Sequence, residues 1–193
     1  MDVIITPLSK EYIKNIAYLH CKYLSGLLSE LGPNVTRIFY ENALLWDGNF
    51  GYVCKQDGKL IGFVFATTDN QEIFKRVIKV KPLRILIQIL ISIFKKPILI
   101  KKMINFFTKE INNTNFPELS YIAIEKDFRK RGIGSMFIKK INDEYRGRNI
   151  FYYELSVDKS NLEARKFYEK KGFKLKYEYK QHGIIRCKYY INL

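Results

Sequence analysis

Residues 118–135 have the sequence ELSYIAIEKDFRKRGIGS, in which an apolar run leads through a basic turn into two closely spaced glycines. The segment from Leu119 to Ile124 is short and rich in β-branched and aromatic residues, so it predicts a buried β-strand. From Ser135 onward, apolar residues recur at the spacing of an amphipathic helix: Met136, Phe137, Ile138 and Ile141. Gly132 and Gly134 therefore lie where a strand gives way to a helix.

The start of this helix is a predicted anion-binding site. The first backbone N–H groups of a helix have no intrahelical acceptor, and the helix dipole is positive at that end, so both attract phosphate. Glycines have no Cβ and let a phosphate come close. Arg129, Lys130 and Arg131 add positive charge at the same place. The pattern predicts a loop that binds a phosphorylated ligand.

The spacing R-x-x-G-x-G after a strand resembles the coenzyme A pyrophosphate motif of the GNAT acyltransferase superfamily. A second motif at residues 157–173, VDKSNLEARKFYEKKGF, resembles the closing helix of the same family. The dinucleotide-binding fingerprint has a similar composition, but it needs a third glycine where this chain has Phe137. The resemblance covers residues 2–70 loosely and 117–193 closely, and residues 71–116 lie outside it.

The resemblance implies a fold of the α/β (α+β) class, with a GNAT-like mixed, mostly antiparallel central sheet flanked by helices. We expect a single N-acetyltransferase domain over residues 1–193, with a helical insert at about 71–116 between the third and fourth strands. Local patterns predict the other elements. In the N-terminal half they are an edge strand at 3–7, a helix capped by Ser9 to about Leu24, a helix after Pro33 to about Trp46, and a hairpin of 51–55 and 60–67 that turns at Asp57-Gly58. In the C-terminal half they are a strand at 150–157, a helix to Lys171 that a Ser160 to Glu163 capping box opens, and a hairpin of 174–179 and 184–191 through Gln181, His182 and Gly183.

The insert is unusually apolar. Arg84, Gln88 and Ser92 form one polar stripe at a spacing of four, and the rest of the segment from Leu83 to Phe94 is apolar. Most of such a helix must be covered by protein or lipid. Its longest uncharged run, from Ile85 to Phe94, is much shorter than the ~20 residues that span a bilayer. A strand over 85–93 is the alternative, because isoleucine is common there.

Three arrangements would cover the apolar side of the insert. It packs over the chain's own acceptor side as a lid, forms a homodimer contact, or lies on an anionic membrane surface. We favour the lid and do not favour the membrane, because lysines beside apolar helices are also ordinary solubilising surface.

The resemblance also assigns residues to the cofactor acetyl-CoA, which acts as a co-substrate. The strand backbone would pair with the pantetheine arm, the glycine loop would hold the pyrophosphate, and the start of the last helix would contact the pantetheine. These residues are, in turn, Ile122, Ala123 and Ile124; Arg129, Lys130, Arg131, Gly132, Ile133 and Gly134; and Asn161.

Two side chains are candidate catalytic groups by the same resemblance. Tyr168 matches the family's proton donor, which protonates the departing thiolate, and its neighbour Phe167 should face the core. Glu118 opens the central strand where some family members carry the base that deprotonates the amine. A packing tyrosine and an acidic strand-end residue without a task are the structural alternatives.

Composition limits the partners and the compartment. The net charge is +15, and residues 71–116 carry ten basic and two acidic groups. No nucleic-acid module is recognisable, so we expect no nucleic acid as a partner. Cys21, Cys54 and Cys187 are far apart, which suggests neither disulfides nor a metal site, and the N-terminus lacks the features of a signal peptide. We expect a cytoplasmic protein.

The expected activity is transfer of an acetyl group from acetyl-CoA to a primary amine by direct attack on the thioester. The acceptor class follows only by analogy, since one fold serves many substrates. We favour a small metabolite such as an amino sugar. The alternatives are a protein or peptide N-acetyltransferase, a coenzyme A-binding protein without catalysis, and a membrane-surface protein.

Overall fold

The computed structural model describes residues 3–70, 77, 79–80, 82–109, 115–181 and 183–193. These residues form a seven-stranded mixed sheet flanked by helices, which confirms the predicted fold class. The strands are β1 (Ile4–Pro7), β2 (Asn49–Gln56), β3 (Lys59–Thr67), β4 (Glu118–Ile124), β5 (Tyr152–Asp158), β6 (Lys174–Gln181) and β7 (Ile184–Asn192). Their spatial order is β1-β2-β3-β4-β5-β7-β6. β4 and β5 pair in parallel, and the other neighbouring strands pair antiparallel.

The described helices account for most of the remaining chain. They are α1 (Ile13–Tyr23), α2 (Leu27–Leu31), α3 (Pro33–Ala43), α4 (Pro82–Lys95), α5 (Leu99–Lys109), α6 (Ile133–Gly147) and α7 (Leu162–Lys170), with 3₁₀ turns at Lys10–Tyr12 and Lys126–Phe128. Helix α2 is a short element that the sequence analysis did not anticipate. Helices α4 and α5 lie between β3 and β4 in the chain, so the helical insert is confirmed and the strand alternative for 85–93 is wrong.

Two apolar cores lie on opposite faces of the sheet, because neighbouring residues of a strand point to opposite sides. In β3, Val64 and Ala66 pack with the α6 side, and Phe63 and Phe65 pack with the α1 and α3 side. A bulge in β4 leaves Ser120 without a partner in the β3 register. The extra residue shifts the alternation, so that residues three apart, Leu119 and Ile122, both face the α6 side.

Local signals located the turns well but misjudged two helix starts. Asp57 and Gly58 adopt positive φ angles of +50° and +75°, as the hairpin turn requires. Ser9 bonds to Glu11 instead of capping a helix, and the chain first makes a 3₁₀ turn. At α7 the N-cap is Asn161, whose Oδ1 accepts a hydrogen bond from the backbone N of residue 164, so the predicted Ser160 cap is one residue early. His182 of the last hairpin lies outside the described residues.

The insert packs on the helices that cover the second core. Ile85 is buried in the cluster of α1 and α3, while Ile89 and Ile93 pack around Leu31 at the end of α2. Leu99 of α5 joins the same small cluster. The insert therefore forms an additional layer on α2 and α3, and only one side of it is used for packing.

Candidate active site

A gap opens between β4 and β5 in the middle of the sheet. Each strand has seven residues, but their parallel register comprises only the pairs Glu118 with Glu154 and Leu119 with Leu155. Beyond these pairs the two strands run without a ladder between them. Backbone groups on the facing edges are therefore available to an extended ligand lying between the strands.

The backbone of β4 shows which groups face this gap. The N–H of Glu125 donates to the carbonyl of Ile61 on β3, with an N to O distance of 2.8 Å. Since backbone groups alternate along an antiparallel strand, those of Ile122 and Ile124 point away from β3 and toward β5. Those of Ala123 point to β3. Of the three residues expected to pair with pantetheine, two therefore direct their backbone groups away from β3, and the carbonyl of Ile124 accepts a hydrogen bond from Arg129.

The predicted phosphate loop follows β4 directly. Gly132 has φ +83° and is the N-cap of α6, and the first helical bond of this turn runs from Met136 N to Gly132 O at 3.1 Å. The amides of Ile133 and Gly134 precede that bond and have no acceptor within the helix. Lys130 also has a positive φ of +61°. This backbone turns its N–H groups toward one place, as anion-binding loops do.

The basic residues of the loop are held in different ways. Arg129 donates from Nε to the carbonyl of Ile124 at 3.0 Å, and its guanidinium lies 5.0 Å from the ring centre of Tyr23. Arg131 lies 5.2 Å from the ring centre of Phe128. Lys130 forms an exposed ion pair of 3.2 Å with Glu163. The three cations surround the start of α6, where they add to its positive dipole.

Gly134 lies close to helix α7. A Cβ at this position would lie 3.1 Å from Cζ of Phe167 and 3.7 Å from Cδ1 of Ile124. The glycine thus lets α7 approach the loop closely. Phe167 itself is half-buried at this contact, whereas its neighbour Tyr168 is the deeply buried member of the pair. Phe167 packs against the core cluster as expected, and Tyr168 is the more deeply buried of the two.

Tyr168 lies on α7 in the core cluster on the α6 side of the sheet. It is 6% exposed, and its ring packs edge-on against Phe167 and Phe173, with ring centres 5.3 and 5.5 Å away. Burial raises the pKa of the Tyr168 phenol well above its ordinary value, because the charged form loses its hydration. The phenol therefore keeps its proton at neutral pH, which is the form a proton donor needs.

Glu118 belongs to a buried network of charges that the sequence analysis missed. Lys188 on β7 donates to Oε1 of Glu118 at 3.0 Å and lies 3.9 Å from Oε2 of Glu154. Lys176 pairs with the other oxygen of Glu154 at 2.5 Å, and Tyr152 donates to the same oxygen. Glu154 and Lys188 are 1% and 5% exposed. An acidic residue in one strand and a lysine in another carry no local signal that they will meet.

The network keeps Lys188 charged. Burial favours the neutral amine, but the attraction of Glu118, Tyr179 and Glu154 outweighs it and raises the pKa of Lys188 above its ordinary value. One cation is thus held between two carboxylates on the face of the sheet that α1 and α3 also occupy. Glu118 and Glu154 belong to the short paired segment of β4 and β5, so the network lies at the end of the gap where the two strands come together.

The turn after α1 joins the two strands across the wide end of the gap. Tyr23 donates to the carboxylate of Glu125 just after β4, and the backbone N of Lys126 donates to the Tyr23 hydroxyl at 3.4 Å. Two residues later, Ser25 donates to Oδ2 of Asp158 at the end of β5, at 2.6 Å. Residues 23–25 therefore bridge β4 and β5. Neither contact could be found from sequence, since its partners are more than a hundred residues apart.

The N-terminal helices supply two core residues that bond to each other. His20 is buried, and burial lowers its pKa to about 3, so the imidazole is neutral and lies 2.8 Å from the hydroxyl of Tyr40. Tyr40 is fully buried. Asn161, predicted to contact the pantetheine, uses its side-chain oxygen as the cap of α7.

The sequence profile of the acetyltransferase (GNAT) family matches residues 22–173, which include the gap, the glycine loop and α7. The chain belongs to the GNAT family. This membership makes it an acyltransferase, and members of the family use acetyl-CoA. A search of curated protein sequences gave no significant match.

Solved structures of GNAT proteins share the fold at low sequence identity. An N-acetyltransferase from Staphylococcus aureus Mu50 is 14% identical and has a TM-score of 0.64, with 100% of this chain and 99% of that chain covered. The ribosomal-protein-S18-alanine N-acetyltransferase from Escherichia coli is 14% identical with a TM-score of 0.57, covering 99% and 94%. The NatC complex bound to Gag peptide and CoA is 15% identical with a TM-score of 0.64, covering 100% and 99%. At these identities the similarity concerns the fold alone.

The described residues of this GNAT protein fit coenzyme A. The amides and cations at the start of α6 suit a pyrophosphate, and the unpaired edges of β4 and β5 suit the amide-containing pantetheine arm. Gly134 leaves room where any side chain would meet Phe167. The fit therefore rests on backbone geometry as much as on the basic side chains.

Proposed function

We propose that this protein transfers the acetyl group of acetyl-CoA to the primary amine of a small, polar metabolite such as an amino sugar. The transfer would take place within one domain that includes the helical insert. The observation that carries the proposal is the gap between β4 and β5, which has the glycine loop at one end and the Glu118 and Lys188 network at the other.

The acyl donor would be held by the loop and by β4. In this assignment Arg129, Lys130 and Arg131 bind the pyrophosphate together with the amides of Ile133 and Gly134, and Asn161 lies at the pantetheine. The backbone of Ile122 and Ile124 would pair with the pantetheine. An N–H of that strand would also donate to the thioester oxygen, where negative charge develops during acyl transfer.

Proton transfer is assigned to two groups. Glu118 would accept a proton from the acceptor's ammonium, directly or through a water, so that the free amine attacks the carbonyl carbon. Tyr168 would give its proton to the sulfur as the bond from carbon to sulfur breaks. The nitrogen loses its second proton to solvent as the amide forms, and a proton from solvent restores the phenol. The phenol is protonated at neutral pH, as a donor must be, but burial raises its pKa and makes it a weaker acid than an exposed tyrosine, so the assignment rests on the motif.

One feature supports a small polar acceptor. Lys176, Lys188, Glu118 and Glu154 form alternating charges on one face of the sheet, which suits a molecule with several hydroxyl or charged groups. Acceptance of a peptide N-terminus is the competing outcome.

A panel of amines tests the proposal. Purified protein is incubated with acetyl-CoA and with amino sugars, polyamines, amino acids and peptides, and product is scored by release of free thiol and by product mass. We expect acetylated product from a small amine. If only peptides are acetylated, the acceptor is a peptide and not a small metabolite. Thiol release without an acetylated product from any amine would contradict transfer to an amine.

Variants separate the roles of the two catalytic candidates. Glu118→Gln should lower the rate with the amine acceptor most strongly at low pH, where more of the amine is protonated and needs a base. Tyr168→Phe should lower the rate and leave acetyl-CoA binding near wild type. Equal loss of binding and of rate in both variants would mean that they act through the structure of the site.

A further inference from the structure

Helix α4 of the insert packs on the protein through Ile85, Ile89 and Ile93, which lie in the apolar clusters of α1 to α3. On the same side Ser92 donates to the carbonyl of Leu31 at 2.7 Å, and Arg84 forms a partly exposed ion pair of 2.9 Å with Glu41 on α3. Burial of the three isoleucines fixes the rotation of the helix. The other large apolar side chains of α4 consequently point away from α2 and α3.

The outward face is a continuous apolar stripe. Large apolar side chains recur there at spacings of three and four, which places them on one side of a helix. They are Leu83, Leu86, Ile87, Leu90, Ile91 and Phe94. Phe94 is 90% exposed and Leu83 is 68% exposed, and the stripe continues into the following turn with Ile98 and Ile100. Contiguous exposed apolar surface of this kind marks an interaction site.

The charges that the described part of the insert itself contributes are all positive, and two of them, Arg84 and Lys102, pair with Glu41 and Glu30. Residues 82–109 contain six lysines and arginines and no aspartate or glutamate. Lys95 and Lys96 are exposed at the end of α4, next to Phe94, and Lys101 is exposed on α5. A surface with an apolar centre and a cationic border matches an interface whose core is hydrocarbon and whose border is anionic.

We propose that the outward face of α4, with the turn into α5, docks on the surface of a membrane that contains anionic phospholipid. The stripe would enter the boundary between headgroups and acyl chains, while the lysines extend to the phosphates. The helix lies in the interface and does not cross it. Among the described helices, none has the length and apolar content needed to span a bilayer.

Charge decides against two other occupants. A second copy of this chain would bring the same cationic border against itself, in a protein whose net charge is already +15. Nucleic acid would satisfy the lysines, but interfaces with nucleic acid are polar, and an aliphatic stripe offers nothing to phosphates or bases. Anionic lipid satisfies both the stripe and its border. The lid expected from the sequence concerns the side of the insert that packs on the chain itself, and it stays a prediction; the face described here points outward from α2 and α3.

Vesicle flotation with the full-length protein tests this docking. Vesicles are made of phosphatidylcholine alone or of equal parts of phosphatidylcholine and phosphatidylglycerol. We expect the protein to float with the anionic vesicles and not with the neutral ones, and to detach at high salt. Replacing Lys95 or Lys96 by Gln should weaken binding by about fivefold each.

A matched pair of substitutions separates the stripe from general hydrophobicity. Phe94→Gln should weaken binding about tenfold or more, since a large apolar group is lost from the interface. Phe151→Gln is the control, because Phe151 is also exposed but lies before β5, outside the insert. Both substitutions are at exposed positions and leave the core unchanged, so thermal unfolding and circular dichroism of both variants should match wild type.

Several results would overturn the proposal. Folded wild-type protein that fails to float with anionic vesicles would do so, as would equal flotation with neutral vesicles or unchanged flotation of Phe94→Gln. Sedimentation that reveals a dimer, abolished by Phe94→Gln, together with no vesicle binding, would assign the face to a second copy instead. None of these readouts depends on the acetyl acceptor, so a failed amine panel leaves the docking test intact.

Discussion

Helix α6 and helix α4 combine apolar stripes with basic residues, but they expose different faces. In α6 the apolar residues Phe137, Ile141 and Tyr145 face the sheet and are buried, while the cations lie at its N-terminal loop. In α4 three isoleucines and Ser92 face the protein, and a second apolar stripe faces outward. An amphipathic pattern thus defines two faces of a helix, and the neighbouring elements decide which one is covered.

The same contrast holds for ion pairs. In the active-site half, Lys188 is buried between Glu118 and Glu154, whereas in the insert Lys102 pairs with Glu30 at 2.5 Å on a partly exposed surface. A buried pair whose partner is removed leaves an uncompensated charge, while an exposed pair returns to water. The comparison therefore yields predictions of graded size.

The largest expected effect is that of Lys188→Met. Removing this buried cation should lower the free energy of unfolding by about 3 to 5 kcal/mol. Lys102→Met, the matched change in the insert, should cost at most about 1 kcal/mol. Urea denaturation of both variants checks the pair. Similar losses would contradict the contrast between the two halves of the molecule.

The pH dependence of the stability difference between wild type and Lys188→Met tests whether charged Lys188 stabilises the folded protein. Because the pKa of Lys188 is raised on folding, its stabilisation is complete below the unfolded value of about 10.5 and is lost as pH rises through the folded value. The difference between wild type and Lys188→Met should therefore be constant near neutral pH and shrink only in strongly alkaline solution.

The next effect concerns turnover. Tyr168→Phe removes a proton and little packing area, so kcat should fall by about a hundredfold or more if the phenol is the proton donor. Tyr153→Phe is the control, since it also removes a buried hydroxyl, which donates to Asn142 at 2.7 Å. Steady-state kinetics of both variants is the measurement. If kcat of Tyr168→Phe equals that of wild type, Tyr168 is a packing residue and not the proton donor.

A smaller effect is expected at the glycine loop. Gly132→Ala places a side chain at φ +83°, which should cost about 1 to 2 kcal/mol of stability and weaken acetyl-CoA binding. Gly58→Ala in the β2–β3 hairpin has the same kind of strain at φ +75° and should not affect the coenzyme. A Cβ at either position would meet no described atom within 4 Å, so crowding does not confuse the comparison. Calorimetry of acetyl-CoA binding distinguishes the two.

The smallest effect is expected at the bridge of residues 23–25. The hydrogen bond from Tyr23, with help from Lys22, lowers the pKa of Glu125 below its ordinary value of 4.5. Its stabilisation is therefore present above that value and lost as pH falls through the folded pKa. Glu125→Gln should be destabilised by about 1 kcal/mol at neutral pH and should converge on wild type in acid. Tyr23→Phe should show the same convergence, and parallel curves would contradict the assignment.

Local chemistry explains what could be predicted from the sequence. The strand, loop and helix at residues 118–147 follow from a change of apolar spacing and from Gly132, whose positive φ suits glycine. The hairpin at Asp57 and Gly58 follows from the same conformational preference. The candidate phosphate loop and Tyr168 are contained in short motifs, so their positions in the chain are known without the fold. Errors of one or a few residues at Ser9 and Ser160 arose because several side chains in a row are able to cap a helix.

Only the tertiary structure revealed the charge network and the bridge. Glu118 of β4 meets Lys188 of β7 because only β5 lies between these strands in the sheet, and Tyr23 meets Glu125 because α1 lies against β4. No local pattern encodes pairings over such distances along the chain. The orientation of α4 was likewise undecided by its sequence, which contains both a polar and an apolar face. It was decided by the apolar clusters of α1 to α3, which bury Ile85, Ile89 and Ile93, and by the carbonyl of Leu31, which accepts a hydrogen bond from Ser92.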